Sequence, residues 1–339
     1  MAHTSFYTHN LSDWYAGGRK RKDFLEGMKE SLVTTAFFFL RNHCISDTLL
    51  YDLEKSMKKF FDLPEKVRKK YEFTETGRQN GYTPFGVEIG DGAKKVDNKH
   101  FWQTGDLHEF LFVKEVPEFR RCYVSYFDAM RNLYRTLLRA LGLIVAKNED
   151  FFLMKEGNNT LRLIDYPKRS TIIRDEESEA VLGGNAAGVC AFKHYDINVL
   201  TLLARVEEGL ELIQNGVLAP LPVRHDSIVV NAGLMLEHIT NGWIKAGLHQ
   251  VICPAGKRRF AQPFFGHVMP RSYIDPLPGL NGRRKLKKYP YHFSHDYLMH
   301  VLAKIGLIEK PIPILESAGG RIIVERGDDC PDAIYRYVS

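Results

Sequence analysis

Cysteine is scarce in this sequence, and its spacing fits neither a metal site nor a disulfide framework. The 339-residue chain has five cysteines, an odd number, far apart and without a CxxC pair. This spacing argues against a structural zinc site and against a secreted, disulfide-rich protein, so we expect a reducing, cytoplasmic location. The five are Cys44, Cys122, Cys190, Cys253 and Cys330.

Long hydrophobic runs, internal repeats and low-complexity tracts are also missing. The densest apolar run near the N-terminus, 36–40, is far too short to cross a bilayer, and no signal core is present, so we expect no membrane association. Charge is nearly balanced, with 47 Lys and Arg against 41 Asp and Glu. The basic runs 19–22 and 283–288 predict solvated surface, with contact to an acidic substrate or partner as the alternative. No nucleic-acid-binding motif occurs, so we expect no nucleic-acid partner.

Hydrophobic periodicity predicts three regions within one compact unit: a mainly helical region 1–155, a β core 156–275, and a helix and tail 276–339. Residues 77–92 are rich in turn formers and predict a loop near the functional site. The predicted helices are Lys22–Ser31, Asp47–Phe61, Glu65–Tyr71, Tyr123–Ala146 and His295–Ile305, and strands outside the β core are predicted at 37–40 and 321–325.

Three possible metal ligands and one arginine lie on successive strand-like segments. His194 and Asp196 precede an apolar, β-branched run, His249 lies in a second such segment, and Arg259 begins a third. Two histidines and one carboxylate can occupy one face of an octahedral ion, which is the ligand set of non-haem Fe(II) oxygenases. The planar guanidinium of Arg259 suits bidentate contact with a carboxylate-bearing co-substrate. A bare His-x-Asp is a weak signal, but the ordered set on three strands is a much stronger one.

The stretch Phe192 to His267 resembles the isopenicillin N synthase-like family of Fe(II)/2-oxoglutarate-dependent oxygenases. It contains the segments HYDINVLTLL, GLELI, VVNAGLMLEHITNGWIKAGLHQV and RRFAQPFF. Upstream, the segments 36–71, 80–88, 96–106 and 161–167 resemble further parts of the family in the right order. The resemblance implies a mainly β fold with flanking helices: a double-stranded β-helix (jelly-roll) core packed by N-terminal helices.

By the same resemblance, His194, Asp196 and His249 bind Fe(II), and Arg259 holds 2-oxoglutarate. The implied activity is oxidation of a small-molecule C–H bond by O2, most often hydroxylation, with release of succinate and CO2. One departure is Ala261, where the family usually has a serine that shares the carboxylate. A lost hydrogen bond to a charged group costs about 1.5–3 kcal/mol. Tyr166 is the candidate replacement; a plain barrel-lining aromatic is the alternative.

Two other functions stay open at this point. One is an isopenicillin N synthase-like iron oxidase that uses no 2-oxoglutarate and whose arginine holds a substrate carboxylate. The other is a non-catalytic jelly roll that binds a metal or a small ligand. His225 and His238 are rivals of His249 as the distal ligand, and Gln250 stands where the family often has arginine, for which we expect no change in chemistry.

The expected substrate is an amino acid, a peptide or a secondary metabolite. The sequence gives no indication of oligomeric state. Aromatic side chains could form the pocket wall, and packing in the protein core is the alternative explanation for them. The candidate substrate contacts are His100, Trp102, Phe85, Asn198 and Phe264.

Overall fold

In this computed structural model of the protein, helices are found where apolar residues recur at helical spacing in the sequence. In the helix Asp47–Phe61 the buried side chains of Leu50 and Leu53 lie on one face, as the pattern predicts. The hydroxyl oxygen of Ser46 accepts a hydrogen bond from the backbone N–H of Leu49 and caps the first turn. The predicted bounds of this helix are confirmed.

The structure describes most of the chain. The described residues are 6–89, 97–168, 187–214, 216–254, 256–277, 280 and 293–310, together with the backbone of 321–325 and 334–338. The basic run 283–288, Cys330 and the end of the predicted loop 77–92 lie outside them.

The predicted helices are present in the structure with ends that differ by at most a few residues, whereas the short helices Leu11–Ala16 and Leu234–Ile239 were not predicted. They are α1 (Leu11–Ala16), α2 (Gly18–Thr34), α3 (Asp47–Phe61), α4 (Glu65–Arg68), α5 (Phe119–Ala146), α6 (Leu234–Ile239) and α7 (Ser294–Lys304). The predicted helix 65–71 divides into α4 and a 3₁₀ turn, Lys69–Tyr71. Further 3₁₀ turns are Thr74–Thr76 and Leu153–Lys155. Helix ends lack the apolar periodicity that marks a helix centre, so end positions differ most.

The described strands form a nine-stranded sheet, a four-stranded sheet and a separate pair of strands. They are β1 (Thr8–Asn10), β2 (Phe37–Arg41), β3 (Asn80–Thr83), β4 (His100–Gly105), β5 (Thr160–Tyr166), β6 (Ala187–His194), β7 (Leu200–Ala204), β8 (Leu210–Gln214), β9 (Val217–Pro220), β10 (Ser227–Ala232), β11 (His249–Pro254), β12 (Arg259–Ala261), β13 (Phe264–Gly266), β14 (Arg321–Glu325) and β15 (Ile334–Val338). The predicted tail strand is confirmed as β14, which pairs antiparallel with β15.

Two predicted segments are corrected by the structure. The predicted loop 77–92 contains the strand β3, which pairs with β4 and was hidden by its turn-forming residues. The third strand-like segment of the metal region is divided into β12 and β13 at Gln262 and Pro263. Proline has no backbone N–H to donate to a sheet, which explains the interruption.

The two sheets enclose one cavity, as the jelly-roll prediction requires. The larger sheet has the order β1-β2-β10-β7-β13-β5-β4-β3, with β12 paired to β5, and the smaller sheet has the order β6-β11-β8-β9. Side chains from both sheets line the cavity, for example Ile164 and Leu203 from the larger and Leu210 and Val251 from the smaller. Residues from α7, such as Leu298, line it as well.

The long helix α5 packs against the larger sheet and fixes the strands that bear the cavity residues. The Tyr134 ring packs on Phe264, with the ring centres 5.8 Å apart, and its hydroxyl donates a hydrogen bond to the carbonyl of His267 at 3.1 Å. A Cβ on Gly266 would lie only 2.3 Å from the Tyr134 ring. The glycine is therefore required for this close approach.

Among the residues that the structure describes, no helix has the length and apolar character needed to cross a membrane. The four described cysteines, Cys44, Cys122, Cys190 and Cys253, are free thiols, and no disulfide bond joins any two of them.

Candidate active site

Two histidines meet at neighbouring strand ends on the smaller sheet. His194 is the last residue of β6 and His249 the first of β11, and the two are paired directly across the strands. Their ring centres lie 4.3 Å apart. The Nε2 atoms of His194 and His249 lie 4.0 and 3.9 Å from Oδ1 of Asp196. The candidate ligand atoms of all three residues lie within 4.8 Å of one another, so one ion can bind between them.

Backbone carbonyl groups fix which ring nitrogen each histidine offers. Nδ1 of His194 lies 2.7 Å from the carbonyl of Phe192, and Nδ1 of His249 lies 3.0 Å from the carbonyl of Gly247. A carbonyl only accepts, so Nδ1 carries the proton in both rings and Nε2 presents a lone pair. Burial, with a smaller effect of the neighbouring His249, lowers the pKa of His194 to about 4. His194 is therefore neutral near pH 7, and the two carbonyl groups orient both rings so that each can offer Nε2 to a cation.

The carboxylate of Asp196 is held by the larger sheet. Its Oδ2 accepts hydrogen bonds from the hydroxyl of Thr201 at 2.6 Å and from the amide of Asn231 at 2.8 Å, which leaves Oδ1 facing the histidines. Burial alone would raise the pKa of Asp196, but the two histidines and these hydrogen bonds hold it below its ordinary value. Asp196 is therefore ionised and oriented for a cation. Neither Thr201 nor Asn231 was predicted from the sequence.

We expect the variant Thr201→Val to bind Fe(II) about 10–100-fold more weakly than the wild type, because residues that orient a metal ligand contribute about this much to affinity. Valine keeps the volume and removes the hydroxyl that fixes Asp196. Equilibrium titration with Fe(II) under nitrogen measures the effect.

The matched control for this variant is Thr240→Val. Thr240 is also buried, but its hydroxyl bonds to backbone carbonyl groups at the end of α6. Equal Fe(II) affinities of the two variants would show that Thr201 does not orient the metal ligand.

A buried guanidinium without a full set of partners lies in the same cavity. Arg259 is 3% exposed, and its Nε donates to the carbonyl of Glu208 at 3.2 Å. One terminal nitrogen, NH1, is buried and has no hydrogen-bond partner among the described residues. Tyr166 is the strand partner of Arg259, and the Tyr166 ring centre lies 5.2 Å from the guanidinium carbon. A buried donor needs an acceptor, so the arginine fits a carboxylate, and the structure brings Tyr166 beside it.

The cavity wall also contains a network of buried ion pairs that the sequence analysis missed. Nζ of Lys99 donates to Glu88 at 2.9 Å and to Asp97 at 2.7 Å, and Arg162 donates to Glu88 at 2.9 Å. Burial alone would raise the pKa of Glu88, but Arg162 and Lys99 lower it to about 2. The signal that could have revealed the network is the presence of charged residues inside otherwise apolar strands, such as Arg162 in LRLIDY.

Three predicted substrate contacts do not line the cavity. The Trp102 ring packs 5.0 Å from that of Phe60 on α3. His100 bonds through its ring nitrogens to Tyr82 and Asp165, and Phe85 stacks on His100 at 4.0 Å. Residues of β4 alternate between two faces, so Lys99 and Gln103 line the cavity while His100 and Trp102 point towards the helices.

The other two predicted contacts also serve the fold. Phe264 is fully buried between Phe127 and Tyr134, and its strand neighbour Phe265 lines the cavity instead. Asn198 borders the cavity, but its amide nitrogen donates to the carbonyl of Leu200 at 2.6 Å and to the hydroxyl of Thr201 at 3.1 Å.

The rival histidines lie outside the metal cluster. His225 is exposed and lies with Asp47, Arg205 and Asp226 at a separate surface depression. His238 is on α6, where its ring lies 5.6 Å from that of Tyr297. Among the described residues, the three side chains that come close enough together to hold one ion are His194, Asp196 and His249.

Sequence comparison matches this chain to two family profiles. The first profile, which describes the N-terminal region of non-haem dioxygenases in morphine synthesis, matches residues 8–122. The profile of the 2OG-Fe(II) oxygenase superfamily matches residues 174–268, which include the cluster and Arg259. The 2-oxoglutarate-dependent dioxygenase ecdK of Aspergillus rugulosus is 30% identical over 279 residues, covering 74% of this chain and 81% of that protein.

Solved structures share the fold. A 2OG-Fe(II) oxygenase family protein from Caulobacter crescentus superposes with a TM-score of 0.73 at 27% identity, covering 89% of this chain and 99% of that one. A full-length Neurospora crassa protein, solved in complex with α-ketoglutarate and thymine, superposes with a TM-score of 0.75 at 22% identity, covering 88% and 96%.

Proposed function

The chain belongs to the family of Fe(II)/2-oxoglutarate-dependent dioxygenases, and from this premise we propose that His194, Asp196 and His249 are its iron ligands. The observation that carries the proposal is that these ligands and the partly unpartnered Arg259 border the same cavity. These three side chains would hold the ion from one side, and the cavity they border would give co-substrate and substrate access to it.

The enzyme uses Fe(II), 2-oxoglutarate and O2. Together these supply the oxidation of a substrate C–H bond, with conversion of 2-oxoglutarate to succinate and CO2. In our proposal the backbone carbonyl groups of Phe192 and Gly247 keep the two imidazoles oriented, with Nε2 of each ring free to bind the ion. Thr201 and Asn231 keep Oδ1 of Asp196 directed at the ion.

We propose that Arg259 holds the distal carboxylate of 2-oxoglutarate through the nitrogen that the described residues leave without a partner. Ala261 lines the cavity on the same strand and offers no hydroxyl. Tyr166 lies beside Arg259, with its ring lining the cavity, and we propose that its hydroxyl takes the place of the missing serine.

The reaction that we propose is hydroxylation of a small molecule, and the candidate classes remain an amino acid, a peptide or a secondary metabolite. The Neurospora crassa complexes with thymine and 5-formyluracil support a small molecule, because a similar fold binds substrates of this size. The fold alone does not select among the classes. We further propose membership of the isopenicillin N synthase-like subgroup, a cytoplasmic location, and the three-part division 1–155, 156–275 and 276–339 within one unit.

The protein, purified under nitrogen and supplied with Fe(II), 2-oxoglutarate and O2, is expected to form succinate slowly even before its substrate is found. Omission of either Fe(II) or 2-oxoglutarate should abolish this background turnover, which chromatography of succinate measures. Without O2, the same mixture should show a weak visible absorption band as the keto acid binds. If the band is absent but O2 consumption depends on iron alone, the protein is an oxidase that works without 2-oxoglutarate.

A further inference from the structure

His267 is a buried cavity residue whose ring nitrogens make no hydrogen bond to any residue that the structure describes. It follows β13 directly, lines the cavity and is 6% exposed. Its backbone is fixed, since its N–H donates to Asn159 at 3.0 Å and its carbonyl accepts from Tyr134. The ring is different: Nδ1 is buried without a hydrogen-bond partner, and no described residue bonds to Nε2. Buried polar groups are nearly always hydrogen-bonded, so the unused ring calls for a ligand.

The ring lines the same cavity as His194, Asp196 and His249. The backbone N–H of Val199 donates to the carbonyl of Gly266 at 2.9 Å, which places His267 beside the segment that follows Asp196. Burial, partly offset by the charge of Asp196, lowers the pKa of His267 to about 4. The imidazole is therefore neutral near pH 7 and offers one donor and one acceptor.

Arg162 is the second polar group of this part of the cavity. Its backbone N–H bonds to the carbonyl of Pro263 at 3.0 Å, and its guanidinium carbon lies 5.3 Å from the ring centre of Phe265, two residues before His267. Its Nε donates to Gln103 at 2.7 Å and its NH1 to Glu88. The remaining nitrogen, NH2, has no partner among the described residues, so it can donate to a ligand.

The charges that line the cavity cancel. The acidic side chains among the described lining residues are Glu88, Asp97 and Asp196, and the basic ones are Lys99, Arg162 and Arg259. Fe(II) and the dianion of 2-oxoglutarate also cancel each other. An ionised substrate would bring a charge with no counter-charge into a buried site, which is strongly unfavourable.

We propose that His267 and Arg162 form the substrate-binding subsite, and that the substrate is an uncharged molecule that presents a carbonyl or hydroxyl oxygen to them. Arg162 donates to that oxygen, and the imidazole of His267 bonds to the same oxygen or to a neighbouring N–H. This inference rests on the proposed function and narrows its substrate class, since a free amino acid carries an ionised carboxylate and an ionised ammonium group, and each would need its own counter-charge in the buried site. The nearby Phe265 supplies an apolar surface for the carbon skeleton.

A panel of matched compounds tests the charge of the substrate. Each pair consists of a primary amide or alcohol and the carboxylic acid of the same skeleton, for example benzamide with benzoate and nicotinamide with nicotinate. Succinate formation above the substrate-free background is measured for each compound. We expect stimulation by uncharged members only. Stimulation by carboxylates, or by no uncharged member of a broad panel, overturns the proposal, whereas absence of the background turnover itself contradicts the proposed function.

Variants then test the residues with any stimulating compound. His267→Leu is expected to raise its KM about 3–10-fold, the effect of one hydrogen bond between uncharged groups, while Fe(II) and 2-oxoglutarate affinities stay at wild-type values. His267→Gln should restore part of the loss. His225→Leu, at the exposed surface, is the control with unchanged KM. A wild-type KM in His267→Leu, or a loss of Fe(II) affinity instead, would show that the ring does not bind substrate.

Discussion

Replacement of His249 with alanine is expected to abolish iron binding and, with it, all succinate formation. Loss of a residue that merely orients a ligand lowers metal affinity by about 10–100-fold, so loss of a ligand itself should exceed about 100-fold. The reason is geometric: Nε2 of His249 lies 3.9 Å from Oδ1 of Asp196, and no other described histidine replaces it in the cluster. Fe(II) titration and succinate measurement on the same sample check both effects.

The control for this prediction is His225→Ala. It removes one of the two histidines that rival His249 in the sequence, and this one lies at an exposed site away from the cavity. We expect full iron binding and full background turnover in this variant. Circular dichroism should show that both variants are folded. If His249→Ala keeps its iron while His225→Ala loses it, the assignment of the metal site is wrong.

The group of three candidate metal ligands could be predicted from the sequence because its chemistry is local. His194 and Asp196 are separated by one residue at a strand end, so their side chains share a face whatever the rest of the fold does. The pairing of His249 with His194 is a tertiary fact, but an apolar run after each segment marked both as strands. Helix α3 could be predicted for the same kind of reason, from its apolar face and its Ser46 cap.

The cavity wall could not be predicted in the same way, because it depends on the face to which each strand residue points. If the register of a strand shifts by one residue, the side chains that faced the cavity face the protein core, and the reverse. Phe264 and Phe265 are adjacent residues of the same type, so the sequence does not distinguish them. The packing of Phe264 against Tyr134 places Phe264 in the core and leaves Phe265 to line the cavity. For the same reason, the sequence did not identify Gln103 in β4, or Lys99 directly before it, as cavity residues.

Arg259→Gln is expected to raise the KM for 2-oxoglutarate at least about 100-fold. Two hydrogen bonds to a carboxylate contribute about 1.5–3 kcal/mol each, and each ~1.4 kcal/mol is a factor of ten. Ala261 beside it adds no hydroxyl, so the arginine carries a larger share of the binding than in relatives with serine. Steady-state assays with varied 2-oxoglutarate measure the effect. Arg259→Lys should fall between wild type and glutamine, because lysine keeps the charge and loses the bidentate geometry.

The adjacent Arg258 provides a matched control. Its guanidinium donates to both carboxylate oxygens of Asp165, at 2.9 and 2.7 Å, and it does not line the cavity. Arg258→Gln therefore makes the same change of residue and charge as Arg259→Gln, but it should leave the KM for 2-oxoglutarate unchanged. The stability of the fold should fall, because Asp165 loses these hydrogen bonds. Equal KM effects in both variants would mean that general electrostatics, and not contact, explains the result. A normal KM for 2-oxoglutarate in Arg259→Gln, with a raised KM for substrate, would assign the arginine to a substrate carboxylate and also contradict the uncharged substrate that the cavity charges predict.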